Sequence, residues 1–430
     1  WRATSRRPRA AERRAMPEAP PYEPKDELSL WMLADPQNPV LVGEISLTRN
    51  QGVALRYDPE WLNNGFALSD DLPLVDDLFI PSNKDEAVGA VDDARPDRWG
   101  ERVIRRFERS RRMSLLEFLL FAGADRYGAL GVSQLPDQYN PWTSSPIPQL
   151  GDLPAMEEVI RKVLANEAVG ELEQRLLRPG VSLGGARPKS LIEIDGQPWL
   201  VKFGEGESED TPLIEHATMT LAARCGIEVA FTRALPIGPR HAVAVHRFDR
   251  ETNGRRVHAI SAHVLLRAAG EKEYSYPGLA QQLRRLARSS DIARQQGQLF
   301  RRMVFNILMD NTDDHEKNHA LLRQPDGFWT LSPAFDVVSS MSGIGYQAMR
   351  VGRNGPDSSL ENALSEVGAF GLKLQVARGI VREVAQVVDG WRAHFQSCGV
   401  TEADQATLAQ YLDNDRLGSQ RRAFVGEASE

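Results

Sequence analysis

Residues 311–319 read Asn311-Thr-Asp-Asp-His-Glu-Lys-Asn-His319, a run without one apolar side chain. An apolar helix pattern precedes it (Leu299, Phe300, Met303, Val304, Ile307 and Leu308, at helical spacing). After it come Ala320-Leu-Leu322, the hairpin signal Asp326-Gly327, the β-like run Phe328-Trp-Thr-Leu331 and Ser332-Pro-Ala-Phe-Asp336. A polar loop held between a buried helix and a tight hairpin, with the hairpin leading to an aspartate, gathers carboxylate and amide oxygens, the ligands of hard cations. Asp313 stands five residues before Asn318, and Asp336 follows one hairpin later. That is the spacing of a phosphotransferase catalytic loop, in which an aspartate accepts the proton of a substrate hydroxyl while an amide and a second carboxylate hold Mg²⁺. Two other readings stand beside it. His315-Glu-Lys-Asn-His319 matches the H-E-x-x-H pattern of zinc proteases, which needs both histidines on one helix face. Alternatively, the polar side chains only cap and turn the chain.

Working outward, Ser182-Leu-Gly-Gly-Ala-Arg-Pro-Lys189 places paired glycines before two β-like runs, Ser190–Ile194 and Trp199–Phe203, joined by Asp195-Gly196. Gly184, Gly185 and Ala186 would let backbone amides approach phosphate oxygens, and Lys189 adds charge; a tight turn or bulge would use the same glycines. Lys202 interrupts the apolar run Trp199-Leu-Val-Lys-Phe203, either as an edge-strand lysine or as the partner of Glu215. Glu215 lies on the first turn of a helix in which Thr211 is the expected cap, Pro212 the first position, and Ile214, Ala217, Leu221 and Cys225 the buried stripe. Glycine loop, strand lysine, helix glutamate, Asp-x4-Asn, hairpin, aspartate is the order of a kinase.

Towards the amino terminus, Leu28–Met32, Val40–Leu47 and Val53–Tyr57 alternate like strands of a small antiparallel sheet. One helix is predicted over 96–123, with Trp99, Val103 and Phe107 on one face. Eight arginines lie between Arg95 and Arg112, as a solvated face or as a docking surface for an acidic partner. The segment 136–154 reads as a linker and 155–178 as a helix. Residues 1–16 carry six arginines and one acid and run into prolines, the pattern of a disordered arm; the chain opens on Trp1, and Met16 is an alternative start. The 430 residues bear a net charge of −7, which disfavours bulk-charge coating of nucleic acid. Two cysteines exclude a disulfide scaffold and a four-cysteine zinc site, and no run suits a membrane span, so a cytoplasmic location is expected.

The chain resembles the HipA-type serine/threonine kinases, the toxin halves of bacterial toxin–antitoxin pairs. The resemblance rests on Ser182–Lys189, His246-Arg-Phe-Asp-Arg250, Asn311–Asn318 and Pro333-Ala-Phe-Asp-Val-Val-Ser339, with Leu30-Trp-Met, Val42-Gly-Glu, Tyr57-Asp-Pro-Glu-Trp61 and Asp97-Arg-Trp-Gly100 near the amino terminus. It implies an α+β, protein-kinase-like two-lobed fold, with a small amino-terminal mixed β/α subdomain and a mostly helical carboxy-terminal lobe. The regions are a basic arm at 1–27, a subdomain at 28–140, a nucleotide-binding lobe at 150–260 and a catalytic lobe at 261–425. It further implies Asp313 as catalytic base and Asn318 and Asp336 as Mg²⁺ ligands. Gly184, Gly185, Ala186, Lys189, Lys202, Glu215, His315 and Lys317 would surround ATP, and Ser182 would be the self-phosphorylated serine that silences the enzyme. The implied partners are a protein substrate, with an aminoacyl-tRNA synthetase as the best-known kind, and a helix-turn-helix antitoxin through which operator DNA is reached. Arg187 and Pro188 depart from the best-known member's loop. A rival of another class is a kinase-shaped corepressor without catalysis.

Overall fold

The computed structural model describes residues 22–143, 146–179 and 185–425. The strands β1 (Glu27–Met32), β2 (Val40–Leu47), β3 (Val53–Tyr57), β4 (Leu78–Phe79) and β5 (Leu130–Ser133) form an antiparallel sheet in the order β4-β3-β2-β1-β5. Val42, Ile45, Val53 and Leu55 are fully buried where this sheet meets the core. The short helix α1 (Pro59–Asn64) starts on Asp58, whose carboxylate accepts from the Glu60 amide.

The single helix predicted over 96–123 is two helices, α2 (Arg98–Phe107) and α3 (Leu115–Phe121). The chain turns extended at Glu108, and Ser114 opens α3 with a capping box: its amide donates to Glu117 at 2.9 Å. Glu117 is fully buried and also receives Arg112. The arginine face is partly structural. Arg102 donates to the carbonyls of Val163 and Leu164, and Arg106 to those of Asn166 and Glu167, at the end of α4 (Leu153–Leu164). The helix predicted over 155–178 ends there, because Asn166 takes a left-handed backbone; only a single turn, α5 (Glu171–Gln174), follows. Within the segment read as a linker, Trp142 packs tilted against Phe121, with ring centroids 4.9 Å apart, and its indole donates to Glu108 at 3.0 Å.

A four-stranded sheet follows, from β6 (Lys189–Ile194), β7 (Gln197–Lys202), β8 (Thr232–Ile237) and β9 (Arg240–His246), ordered β6-β7-β9-β8. Asp195 and Gly196, both at positive φ, make the β6–β7 turn. Between β7 and β8 runs α6 (Thr211–Arg224); Asp210 is the residue before its first turn, so Thr211 and Pro212 lie one position deeper than predicted. The predicted stripe Ile214, Ala217, Leu221 and Cys225 is buried. Then come β10 (Ala259–Ser261), α7 (Ala262–Ala268), α8 (Tyr276–Leu286) and α9 (Ile292–Leu308). The hairpin β11 (Ala320–Arg323) and β12 (Trp329–Leu331) completes a three-stranded sheet with β10. The chain closes with α10 (Leu360–Leu364), α11 (Leu374–Asp389), α12 (Trp391–Ser397), α13 (Glu402–Leu412) and α14 (Asp415–Val425). Antiparallel sheets followed by a helical lobe make the fold α+β.

The amino-terminal subdomain is joined to the rest by buried charge. Asp249 receives Arg247 at 2.6 Å, Arg250 at 2.8 Å and the Gly128 amide at 2.8 Å, while Arg247 and Arg250 also donate to the carbonyl of Arg126. Burial acts to raise the Asp249 carboxyl, but the two guanidinium groups outweigh it and hold it well below the usual range. Its contribution to stability is therefore complete above roughly pH 4 and is lost as acid protonates it. Asp249→Ala would leave two buried guanidinium groups without their carboxylate and is expected to cost about 3–5 kcal/mol. The check is a urea unfolding curve at neutral pH against the unaltered chain.

Candidate active site

Lys202 ends β7, an interior strand flanked by β6 and β9, which removes the edge-strand reading. Its ammonium lies 2.6 Å from the Glu215 carboxylate on α6 and 2.5 Å from Asp336 after the β11–β12 hairpin. Lys202 and Glu215 are buried, and the Asp336 side chain is about a third exposed. Burial alone would lower the Lys202 ammonium, but Asp336 and Glu215 together raise it above the ordinary lysine range. Burial likewise acts to raise Asp336, yet Lys202, and Lys189 behind it, bring it down to about 2. All three groups are thus brought together from distant stretches, with Lys202 and Asp336 charged throughout the neutral range. Asp336 also takes a left-handed backbone, φ 57°, which an L residue adopts at a cost of about 1–2 kcal/mol.

The loop after α9 is organised by Asp314, not by Asp313. Asp314 is buried and accepts from Asn306 Nδ2 and His319 Nε2, both at 2.8 Å, and from the Tyr276 hydroxyl. Asp313 beside it is exposed. Its carbonyl accepts from the His315 amide at 2.8 Å and from Asn318 Nδ2 at 3.3 Å, closing the turn that sets the spacing of Asp313 and Asn318. Asn318 spends its amide nitrogen on this bond, so its oxygen can face a cation. An amide oxygen and an ionised, partly exposed carboxylate are hard donors that suit Mg²⁺, which commonly takes one or two protein ligands and completes its shell with phosphate and water.

The zinc pattern does not assemble. Glu316 turns to His263 Nδ1 at 3.0 Å and His319 to Asp314, and residues 316–318 make one 3₁₀ turn in place of a helix. Among the described residues no three His, Cys, Asp or Glu side chains are placed to hold a metal. His315 is half-buried beside this turn, with no hydrogen-bond partner for Nδ1 among the described residues, and Lys317 lies close enough to Asp92 and Asp93 to act on their carboxyls.

In the glycine-rich segment, Ser182 and Gly184 lie outside the described residues. Gly185 has φ 102°, and a side chain there would meet Lys189 Nζ at 2.6 Å; Ala186 is exposed. Lys189 is not turned to solvent: it is buried and paired with Asp97 at 2.9 Å, and its carbonyl receives the Trp99 indole at 2.8 Å. The sequence reading gave no role to Asp314, Tyr276 and Asn306, and it quoted Asp97 without its partner Lys189. Asn306 did leave a signal, as the one amide between Leu299 and Leu308.

The two neighbouring aspartates should separate on mutation. Asp314→Ala strips a buried acceptor from three donors and is expected to cost about 3 kcal/mol, while Asp313→Ala, at an exposed site, should stay within about 0.5 kcal/mol. Chemical denaturation of both variants measures the difference.

Two family models match the chain, the HipA N-terminal domain over residues 37–133 and the HipA-like C-terminal domain over 181–391. The kinase-named protein Y4mE of Sinorhizobium fredii is 27% identical, over 90% of this chain and 95% of its own length. The serine/threonine-protein kinase toxin HipA of Shewanella oneidensis is 23% identical, over 70% of this chain and 73% of its own. The solved complex of Shewanella oneidensis HipA, HipB and operator DNA contains a chain that superimposes with a TM-score of 0.67 at 21% identity, covering 93% of this chain and 97% of that one. That likeness establishes the kinase-like α+β fold. With both domain models matched in order, the chain belongs to the HipA-type kinase family.

Proposed function

We propose that this chain is an ATP-dependent serine/threonine protein kinase that transfers the γ-phosphoryl group of Mg-ATP to a protein hydroxyl and thereby arrests growth. The observation that carries the reading is Lys202, held between Glu215 and Asp336 at 2.6 and 2.5 Å, beside a loop that leaves Asp313 as its exposed carboxylate. In this reading Lys202 positions the ATP phosphates and Glu215 fixes the ammonium, so that the charge is in place before the nucleotide arrives. Asp313 accepts the proton of the substrate hydroxyl as its oxygen attacks the γ-phosphorus. Asn318 and Asp336 would hold Mg²⁺, which when bound neutralises phosphate charge. The same reading assigns Gly184, Gly185 and Ala186 to the ATP phosphates, together with His315, Lys317 and Lys189.

Ser182 is the proposed site of self-phosphorylation. A dianionic group among amides meant for ATP phosphate would repel nucleotide and silence the enzyme. The partners proposed with it are a protein substrate, of which an aminoacyl-tRNA synthetase is one kind, and a separate helix-turn-helix antitoxin that reaches operator DNA. The Shewanella complex, which holds HipA together with HipB and operator DNA, supports the second of these. No helix among the described residues is long and apolar enough to cross a membrane.

Asp313→Asn and Asp336→Asn should each lower phosphoryl transfer from γ-labelled ATP by at least about a hundredfold, with circular dichroism unchanged. Full transfer in either variant would overturn the assignment. Ser182→Ala should abolish the phosphate gained by the chain itself, read by peptide mapping after incubation with Mg-ATP; phosphate retained by the variant would remove Ser182 from the scheme.

A further inference from the structure

The segment that follows Asp336 is tied closely to the catalytic loop. Ser340 Oγ accepts from the amides of Thr312 (2.9 Å) and Asp313 (3.2 Å), the Ser340 amide donates to the Asp310 carbonyl (2.9 Å), and the Thr312 and Ser342 hydroxyls meet at 2.9 Å. The fully buried Asp310 carboxylate accepts from the amides of Ser342 (3.2 Å) and Gly343 (3.1 Å) and is itself held by Arg416 at 3.4 Å. The return arm is fixed as well, with the Ala348 amide on the Thr312 carbonyl at 3.0 Å and the Ser358 amide on the Gly345 carbonyl at 2.9 Å. Gly343 and Gly345, at φ 60° and 77°, let the tip turn back on itself. Between these anchors two large side chains face solvent, Ile344 at 59% and Tyr346 at 58% exposure.

Such exposure on a segment this constrained has a local consequence. Ile344 is two residues from Ser342 and Tyr346 two from Ala348, and both of those residues bond Thr312, the neighbour of Asp313. Each apolar side chain therefore starts within about 7 Å of a point fixed to the catalytic loop. An extended peptide advances about 3.3 Å per residue. An extended chain that presents a hydroxyl to Asp313 and runs towards this tip reaches it within about three residues of that hydroxyl. From this continuity we infer that Ile344 and Tyr346 form a docking platform for the protein substrate, and that it selects a large apolar side chain within three positions of the phosphorylated serine or threonine. The platform is preorganised: its backbone bonds are made within this chain, so the peptide alone pays the ordering entropy on binding. The inference rests on the kinase reading and adds to it the chemistry of the substrate.

The test uses the full chain, Mg-ATP and a serine-centred peptide library in which each flanking position is varied in turn. The unaltered chain should prefer Leu, Ile, Met or Phe over Gly at one of the flanking positions by about tenfold or more in kcat/KM. In the variant with Ile344→Ser and Tyr346→Ser, both at exposed positions, that ratio should fall towards one. Phosphorylation of the library without apolar selection, selection retained by the variant, or phosphorylation of the chain itself but of no peptide would each overturn the platform. Absence of both peptide phosphorylation and self-phosphorylation would instead overturn the kinase reading beneath it.

Discussion

A lysine ammonium removed from water loses several kcal/mol of hydration and persists as a charge only where carboxylates surround it. Lys202 meets that constraint with two, one from α6 and one from the far side of the β11–β12 hairpin. Much of the architecture follows from it. β7 has to be an interior strand for its terminal lysine to face inward, and α6 has to begin directly beneath it. The β11–β12 hairpin, more than a hundred residues later, has to return Asp336 to the same point. Two carboxylates face one ammonium, and Asp336 remains partly open, which leaves room for further positive charge beside it.

A second layer keeps that trio in place. Asp314 gathers Tyr276 from α8, Asn306 from α9 and His319 from the end of its own loop, so the exposed Asp313 is mounted on a rigid base. The amino-terminal subdomain adds three further ties. Asp93 accepts from the Ser261 hydroxyl at 2.7 Å, next to the strand that pairs with β11. Asp97 holds Lys189 under the glycine segment, and Asp249 with its two arginines grips the backbone of 126–128. The subdomain is thus tied to both β6 and β10, in keeping with a chain that aligns to its relative Y4mE over 90% of its length.

Much of the site could be read from residue order because its chemistry dictates spacing. Asp313 and Asn318 must sit on one tight loop, Lys202 on a strand and Glu215 on the next helix, and each was placed from the sequence. What escaped were choices made by distant partners. Asp313 and Asp314 are identical in the sequence, and the buried one is selected by Tyr276, 38 residues earlier. The break between α2 and α3 was written in Ser114-Leu-Leu-Glu117, yet the helical spacing of Trp99, Val103 and Phe107 masked it. The pairing of Lys189 with Asp97 was not legible, because nothing local announces a partner 92 residues away. The segment 339–346 carried no pattern at all, since its conformation is imposed by Asp310, Thr312 and Arg416.

The central claim is that the charge of Lys202 exists to receive the phosphates of Mg-ATP. The most direct measurement is a calorimetric titration of the purified chain with a non-hydrolysable ATP analogue, with and without Mg²⁺, beside Lys202→Met. The account predicts Mg²⁺-dependent binding that weakens by about tenfold or more in the variant, as expected for loss of a charge-assisted contact, while its melting curve stays cooperative. Equal affinity in a folded Lys202→Met variant would contradict it.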